Sequence, residues 1–465
     1  MYVSRITIEN LRTIASQSIA LKTPHLPGGD PLASSPDGAR GNLTVLLGNN
    51  GSGKTTVLRA IAMAAMAPVL LSGSGFVPYS LVRRVNGAPA RTASVRGLFS
   101  LYPRQDNPPD VRPIGADVGE IGFELLLGPG SSFNDRILNH LSPPLTDYIG
   151  RSFAESLFDD RSGAALVVGY GADRRVDSQS RTDIESRYKH RVLRYDRIAG
   201  LFEESVALIP IGAWLPRFRM ENPGRHRQVI ALINKVLPDA EIEAEPHDGE
   251  YLFSLRGSSL PLAALSDGYR SFIGWFADLL FHICRGAPPE HQLDQTTGIV
   301  LIDEVDLHLH PAWQREVVPR VADALPHMQF IVSTHSPLVV GSLHRENVLV
   351  LTDVDEGEGV RKTVVERPDA ETFGLGAEQL LTSDTFGLES TRAPAFVEKL
   401  QEASQQARDG DADAAMHLMR LLSLGDAAGE APPAPKPIRK AATKKTATKK
   451  TATKKTAGRA VQGGR

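Results

Sequence analysis

The sequence has a single cysteine, Cys284, in 465 residues. No internal disulfide can form, which excludes a disulfide-stapled secreted scaffold and points to a reducing cytosol. It also lacks any apolar run long enough for a bilayer: the longest, Val57–Leu71, is interrupted by Arg59 and Pro68. The opening Met1-Tyr2-Val3-Ser4-Arg5 has neither the basic start nor the apolar stretch of a secretory signal. The expectation is a cytoplasmic chain with no membrane segment. Neither sign of charge prevails overall, with a formal net charge of −2. At 41% hydrophobic and 23% charged residues, the composition is that of a globular protein. The length suggests roughly two to four domains.

The near-neutral total conceals an asymmetry. Residues 436–465 hold 11 basic residues and no acid, so the other 41 Lys and Arg face all 54 Asp and Glu in the rest of the chain. An acidic body carries a basic tail. Within the tail, Ala441–Lys455 reads AATKK-TATKK-TATKK. It has no large apolar side chain to bury and is read as disordered, behind the stiff proline-rich lead-in Ala431–Pro437. Such a segment suits non-specific contact with nucleic-acid phosphates; the plainer alternative is a solubilising tail, or one that folds back on the acidic body.

Along the body, Val3–Ile8 alternates apolar and polar residues as a strand, with Ser18–Leu21 as its partner. Leu43–Leu47, Ile299–Ile302 and Phe330–Val332 are short continuous apolar runs, as strands buried on both faces require. Helices are expected over Thr55–Ala67, stopping at Pro68, over Arg227–Leu237 and over Ser271–Cys284. A further helix over Pro311–Leu325 should kink at Pro319, and Ala395–Ala407 and Ala412–Leu424 read as C-terminal helices. Gly73–Pro113 reads as an irregular surface insertion, and Gly171–Arg197, dense in Arg and Asp, as solvated. Strands alternating with helices make the fold class α/β.

Gly48-Asn49-Asn50-Gly51-Ser52-Gly53-Lys54-Thr55 satisfies G-x-x-x-x-G-K-[ST] at every fixed position, between a buried strand and a helix. Glycines there let backbone N–H groups converge on phosphate oxygens, and the helix start, running on into Thr56, adds a favourable dipole. Lys54 is expected to bridge the β- and γ-phosphates of ATP, and Thr55 to ligate Mg²⁺. Ile299–Ile302 ends in Asp303 and Glu304, the first suited to Mg²⁺ and the second to activating water. His335 follows the next apolar strand, within reach of a γ-phosphate. Leu265-Ser266-Asp267-Gly268-Tyr269-Arg270 opens an apolar helix and offers a second anion-binding edge.

Taken in order, these elements resemble the ABC-type ATPase superfamily. Leu265–Tyr269 looks like its LSGGQ signature, departing at Asp267 and Tyr269. The resemblance implies a P-loop NTPase head that dimerises on ATP, Ser266 and Gly268 of one copy closing on the nucleotide of the other. Ile6–Arg12 and Asp303–Gln314 (DEVDLHLHPAWQ) are similar to the non-transporter branch: RecF-like, SMC-like and OLD-like ATPases. Asp384–Arg392 and the LSDGYRS form look like defence ATPases of the Septu type. Lys54 and Leu265 stand 211 residues apart, wider than in a transporter subunit and too short for SMC arms. The implied layout is an ATPase head over residues 1–428, with its P-loop core in 1–75 and 290–370. Antiparallel N-terminal strands open it. An insertion and helical signature lobe occupies 76–289, C-terminal helices 371–428, and the Lys-rich tail 429–465. No glutamine marks a strand end as the family's Q-loop, and Tyr170–Arg175 falls in that region without an assignable role.

Blander readings hold elsewhere. Asp353, Asp355, Glu356 and Glu358 read as a solvated turn rather than a Toprim metal cluster. His308 and His310 lack further ligands at zinc spacing. Arg174, Arg175, Arg217 and Arg219 read as solvated arginines, and Trp214–Met220 as no more than a possible base-stacking stretch. The leading functional expectation is a regulatory ATPase of a prokaryotic antiviral system, a homodimer or higher homo-oligomer acting with a separate nuclease. The alternatives are a RecF-like DNA-repair ATPase and an OLD-like nuclease. Deleting residues 436–465 should flatten the salt dependence of DNA binding, measured by fluorescence anisotropy across a salt series. An unchanged slope would remove the tail from any nucleic-acid role.

Overall fold

A computed structural model describes residues 1–24, 38–70, 74–101, 119–141, 165–174, 193–204, 206–287, 291–355, 361–409 and 412–424. The tail, Glu356, Glu358 and Arg175 lie outside these residues. The chain divides into two units, Met1–Thr391 and Arg392–Arg465. In the second, helices Pro394–Arg408 and Ala412–Leu424 pack on each other.

The first unit is built on two sheets. The P-loop strand Leu43–Gly48 lies between Met328–Thr334 and Val348–Asp355, parallel to both. Gly298–Ile302 and then Val167–Tyr170 continue the parallel series on one side. Arg361–Glu366 closes the other edge antiparallel. The apolar runs are continuous because both faces are covered. Leu43, Val45, Leu47, Val300, Ile302, Phe330 and Val332 enter one core, while Leu46, Ile299, Leu301 and Ile331 enter the other. The first core is capped by helix Asp267–Gly286, which buries Phe272, Trp275 and Phe276. The second encloses helix Lys54–Ala65, pressed between the parallel sheet and a five-stranded antiparallel one. That sheet runs Ile14–Ala20, Tyr2–Leu11, Ala93–Leu101, Gly119–Gly128, Arg136–Leu141.

Several expectations are corrected. Gly73–Pro113 is not wholly an irregular surface insertion: Ala93–Leu101 is a central strand pairing Tyr2–Leu11 on one side and Gly119–Gly128 on the other. Its Ala93, Val95 and Phe99 face the core, and the glycines and arginines around it mask that alternation. Pro68 does not end the P-loop helix. The break falls at Met66, and Pro68 sits in a second short helix, Ala67–Leu70, whose first turn needs no proline N–H. Pro319 does not kink one long helix; the chain forms two, Pro311–Gln314 and Val317–Ala324, with Pro319 in the first turn of the second. In the stretch read as solvated, helix Leu193–Ala199 buries Arg194 and Arg197.

The two sheets are stitched by polar bonds as well as apolar area. Gln329 is fully buried; it donates to the carbonyls of Val3 (2.8 Å) and Lys22 (2.6 Å) and accepts from Val3 N–H (2.8 Å). Tyr2 Oη donates to the His327 carbonyl at 2.6 Å. Replacing Gln329 by leucine leaves buried backbone groups unpaired and should cost roughly 2–4 kcal/mol, readable as a lower urea midpoint. A midpoint equal to wild type would show that the stitch adds nothing.

Candidate functional site

The parallel strands all end on the same side, where ligands of open α/β sheets gather. Gly48, Tyr170, Ile302 and Thr334 are the last residues of four neighbouring strands. The P-loop wraps from Gly48 into the helix that starts at Lys54. A Cβ on Gly48 would lie 2.5 Å from the Leu351 carbonyl oxygen, and Gly53 has φ +97°, so both positions demand glycine. Asn49, Asn50 and Gly51 are exposed, while Ser52, Lys54 and Thr56 are buried. Ser52 Oγ has no hydrogen-bond partner among the described residues, an orphaned donor inside the P-loop. Lys54 Nζ folds back to donate to the carbonyls of Gly48 (2.8 Å) and Asn49 (3.0 Å). Burial holds its pKa below the usual lysine value, against the opposing pull of Asp303, Glu304, Asp306 and Asp353.

Across from the loop, Thr55 Oγ1 donates to Asp303 Oδ2 at 2.7 Å, and Ser333 Oγ donates to Asp303 Oδ1 at 2.5 Å. The same Ser333 oxygen accepts Glu304 N–H at 2.8 Å. Glu304 has φ +49°, a left-handed setting rare outside glycine. The next turn is belted to the neighbouring strand: Thr334 donates to Asp306, and Ser336 Oγ to Gln314 Oε1 at 2.8 Å. A hydroxyl and a carboxylate side by side form an all-oxygen donor pair suited to a hard divalent cation. P-loop strand, central strand and acidic strand thus converge as a nucleotide site requires.

A family model described as "AAA domain, putative AbiEii toxin, Type IV TA system" matches residues 142–341, and one described as "AAA domain" matches residues 5–72. Over residues 5–72 and 142–341 the chain is thus similar to AAA-domain proteins, on an α/β fold with a P-loop. It is 27% identical to the Septu protein PtuA of Bacillus mycoides over 75% of this chain, a region spanning 41% of that protein. It is 23% identical to the Retron Vc95 probable ATPase of Vibrio cholerae over 79% of this chain and 80% of that one. The Smc head bound to the C-winged helix domain of ScpA aligns at a TM-score of 0.43 with 18% identity, over 79% of this chain and 98% of that one.

The remaining residues singled out from the sequence fall as follows. His335 stands half-buried just past Thr334; burial, and then Lys54, lower its pKa, so it stays neutral further into acid than an ordinary histidine. Ser266 caps the signature helix with its hydroxyl not spent on a cap bond, and is exposed. Gly268 lies against the acidic loop of its own chain: a Cβ there would be 2.8 Å from the His308 carbonyl oxygen. His310 accepts from Ala312 N–H at the start of its short helix. Asp353 and Asp355 are exposed at the end of their strand. Among the described residues no group of three or more His, Cys, Asp and Glu is placed to hold a metal, and no helix is long and apolar enough to cross a membrane. Trp214 is buried, edge-on to Phe218 and tilted against Phe281, so it offers no free ring; Arg217 and Arg219 pair with Glu221 and Glu245.

Two residues escaped the sequence reading. Ser333 carried a signal, a hydroxyl near the end of an apolar strand beside the acidic one. Arg174 was read as solvated, and is instead half-buried, with Nε and Nη1 inaccessible and Nη2 donating to the Glu304 carbonyl at 2.6 Å. Ser333→Ala should weaken magnesium dependence or turnover by roughly ten- to a hundredfold, because it removes the support of both acidic residues. Magnesium titration of ATP hydrolysis measures this, and an unchanged curve would make Ser333 a bystander.

Proposed function

We propose that this chain binds Mg–ATP in the Gly48–Thr56 cradle, hydrolyses it, and uses the cycle as a dimerisation switch that governs a separate nuclease in prokaryotic antiviral defence. The observation that carries the chemistry is the Thr55–Asp303–Ser333 chain of hydrogen bonds, which joins the P-loop to the acidic strand. Similarity to a Septu protein PtuA and a retron probable ATPase supports the biological setting.

Lys54 leaves the Gly48 and Asn49 carbonyls, which hold the place of phosphate oxygens, and takes up the β- and γ-phosphates. Ser52 Oγ gains a partner in the same event. Thr55 and Asp303 hold the metal. Bound there, magnesium neutralises charge on the phosphate oxygens. Glu304 accepts the proton of the attacking water, its backbone fixed by Ser333. Neutral His335 donates to the γ-phosphate. Ser266 and Gly268 of the partner subunit close the site from the opposite face, in keeping with the exposed, uncommitted Ser266 hydroxyl. The Lys-rich segment 436–465 is the proposed nucleic-acid contact, on charge alone.

Glu304→Gln should bind ATP normally, lose at least a hundredfold in turnover and accumulate as a dimer by analytical ultracentrifugation. Lys54→Ala should lose nucleotide affinity itself in calorimetry. Normal turnover in the Glu304 variant would overturn the mechanism.

A further inference from the structure

The chain has a half-buried cation that the mechanism above leaves unused. Arg174 lies just past the edge strand Val167–Tyr170, which runs parallel to the acidic strand with Tyr170 opposite Ile302. Of its guanidinium nitrogens, Nη2 donates to the Glu304 carbonyl, while Nε and Nη1 are buried with no hydrogen-bond partner among the described residues. Two orphaned guanidinium nitrogens are costly in a protein interior, a cost that a ligand on either would offset. Burial lowers the Arg174 pKa to about 10, so the group stays cationic at neutral pH; Asp303, Asp306 and Glu304 are the acids that favour its charge. Its hydrogen bond to the Glu304 peptide puts this cation at the end of the acidic strand, beside the site proposed for the triphosphate.

The loop bearing it is firmly held. Tyr170 Oη donates to the buried Asp278 Oδ2 at 2.8 Å, and Asp278 Oδ1 accepts Ile209 N–H at 2.8 Å. Gly171 packs so close to the chain at Gly200 that a Cβ would sit 2.2 Å from the Gly200 carbonyl oxygen. Arg174 N–H bonds to the Ala172 carbonyl at 3.1 Å. The backbone that carries the guanidinium is therefore fixed, and Nη2 is already engaged, so nucleotide entry has only to uncover Nη1.

We propose that Arg174 is a catalytic residue acting within its own subunit: Nη2 holds the Glu304 peptide in its left-handed setting while the unpartnered Nη1, the other arm of the same fork, takes a γ-phosphate oxygen as charge builds on it. This supplies from an arginine the phosphate-facing group that no strand-end glutamine provides here. Lysine cannot replace it, because a single ammonium cannot span both acceptors with the planar fork of an arginine.

The inference rests on the hydrolytic reading, and one assay separates the two. Full-length wild type, Arg174→Ala, Arg174→Lys and Glu304→Gln are compared for Mg–ATP affinity by calorimetry and for phosphate release. Arg174→Ala should lose about a hundredfold or more in kcat with ATP affinity within about threefold of wild type. Added guanidinium ion should restore part of that turnover, which a merely structural defect would not allow. Arg174→Lys, which keeps the charge and most of the bulk, should remain at least tenfold slow at an unaltered melting temperature. Turnover of Arg174→Ala or Arg174→Lys within threefold of wild type overturns the inference alone. Parallel losses of affinity, stability and turnover without guanidinium rescue do the same. A wild type that binds ATP and never turns it over overturns the hydrolytic reading, and this inference with it.

Discussion

The carboxylate of Asp303 is where the architecture closes. One of its oxygens accepts from Thr55 on the P-loop helix and the other from Ser333 on the central strand. This is possible only because Met328–Thr334 lies between the P-loop strand and the acidic strand, all three parallel and ending together. A shift of one residue in any of these registers would turn Ser333 or Asp303 to the other face of the sheet. The continuous apolar strands and the two cores beneath and above them are thus what hold three hydroxyl and carboxylate groups within hydrogen-bonding distance.

Around that carboxylate, like and unlike charges are crowded with little solvent. Lys54, buried, and Arg174, half-buried, are the cations; Asp303, Glu304 and Asp306 are the acids that offset their desolvation. Lys54 spends its donors on two loop carbonyls, an arrangement a phosphate oxygen can replace without leaving an ammonium unpaired. His335 feels the same field from the other side, its charged form disfavoured by burial and by Lys54. Polar support reaches further out, through Thr334 to Asp306 and through Ser336 to Gln314, so the whole turn after the acidic strand is referenced to one neighbouring strand.

The antiparallel sheet contributes at a distance. Helix Lys54–Ala65 touches both sheets, with Val57, Leu58 and Ile61 in the core they share. The Gln329 and Tyr2 side chains fasten the N-terminal strand to the central strand through bonds to backbone groups. The turn after that strand reaches the nucleotide loop: a Cβ on Gly53 would lie 2.9 Å from Thr13 Oγ1. The helix that presents phosphate-binding N–H groups is consequently clamped from above and below.

The amino-acid sequence by itself determined the α/β class, the P-loop, the acidic strand end and the buried strands, because each is a local pattern whose physical cause lies within a few residues: glycines at a tight turn, a helix start, apolar runs for a two-sided sheet. Ala93–Leu101 was not legible, since its core-facing alternation is interrupted by Arg96 and Gly97 and makes sense only once Tyr2–Leu11 lies beside it. Arg194 and Arg197 looked solvated for the same reason, as a charged residue's burial depends on partners remote in sequence. Only the tertiary structure decided that Ser333 serves both acidic residues and that Arg174 reaches the Glu304 peptide. Their partners lie 30 and 130 residues away, and hydrogen-bond chemistry at that separation is set by strand order and register, which no local pattern encodes.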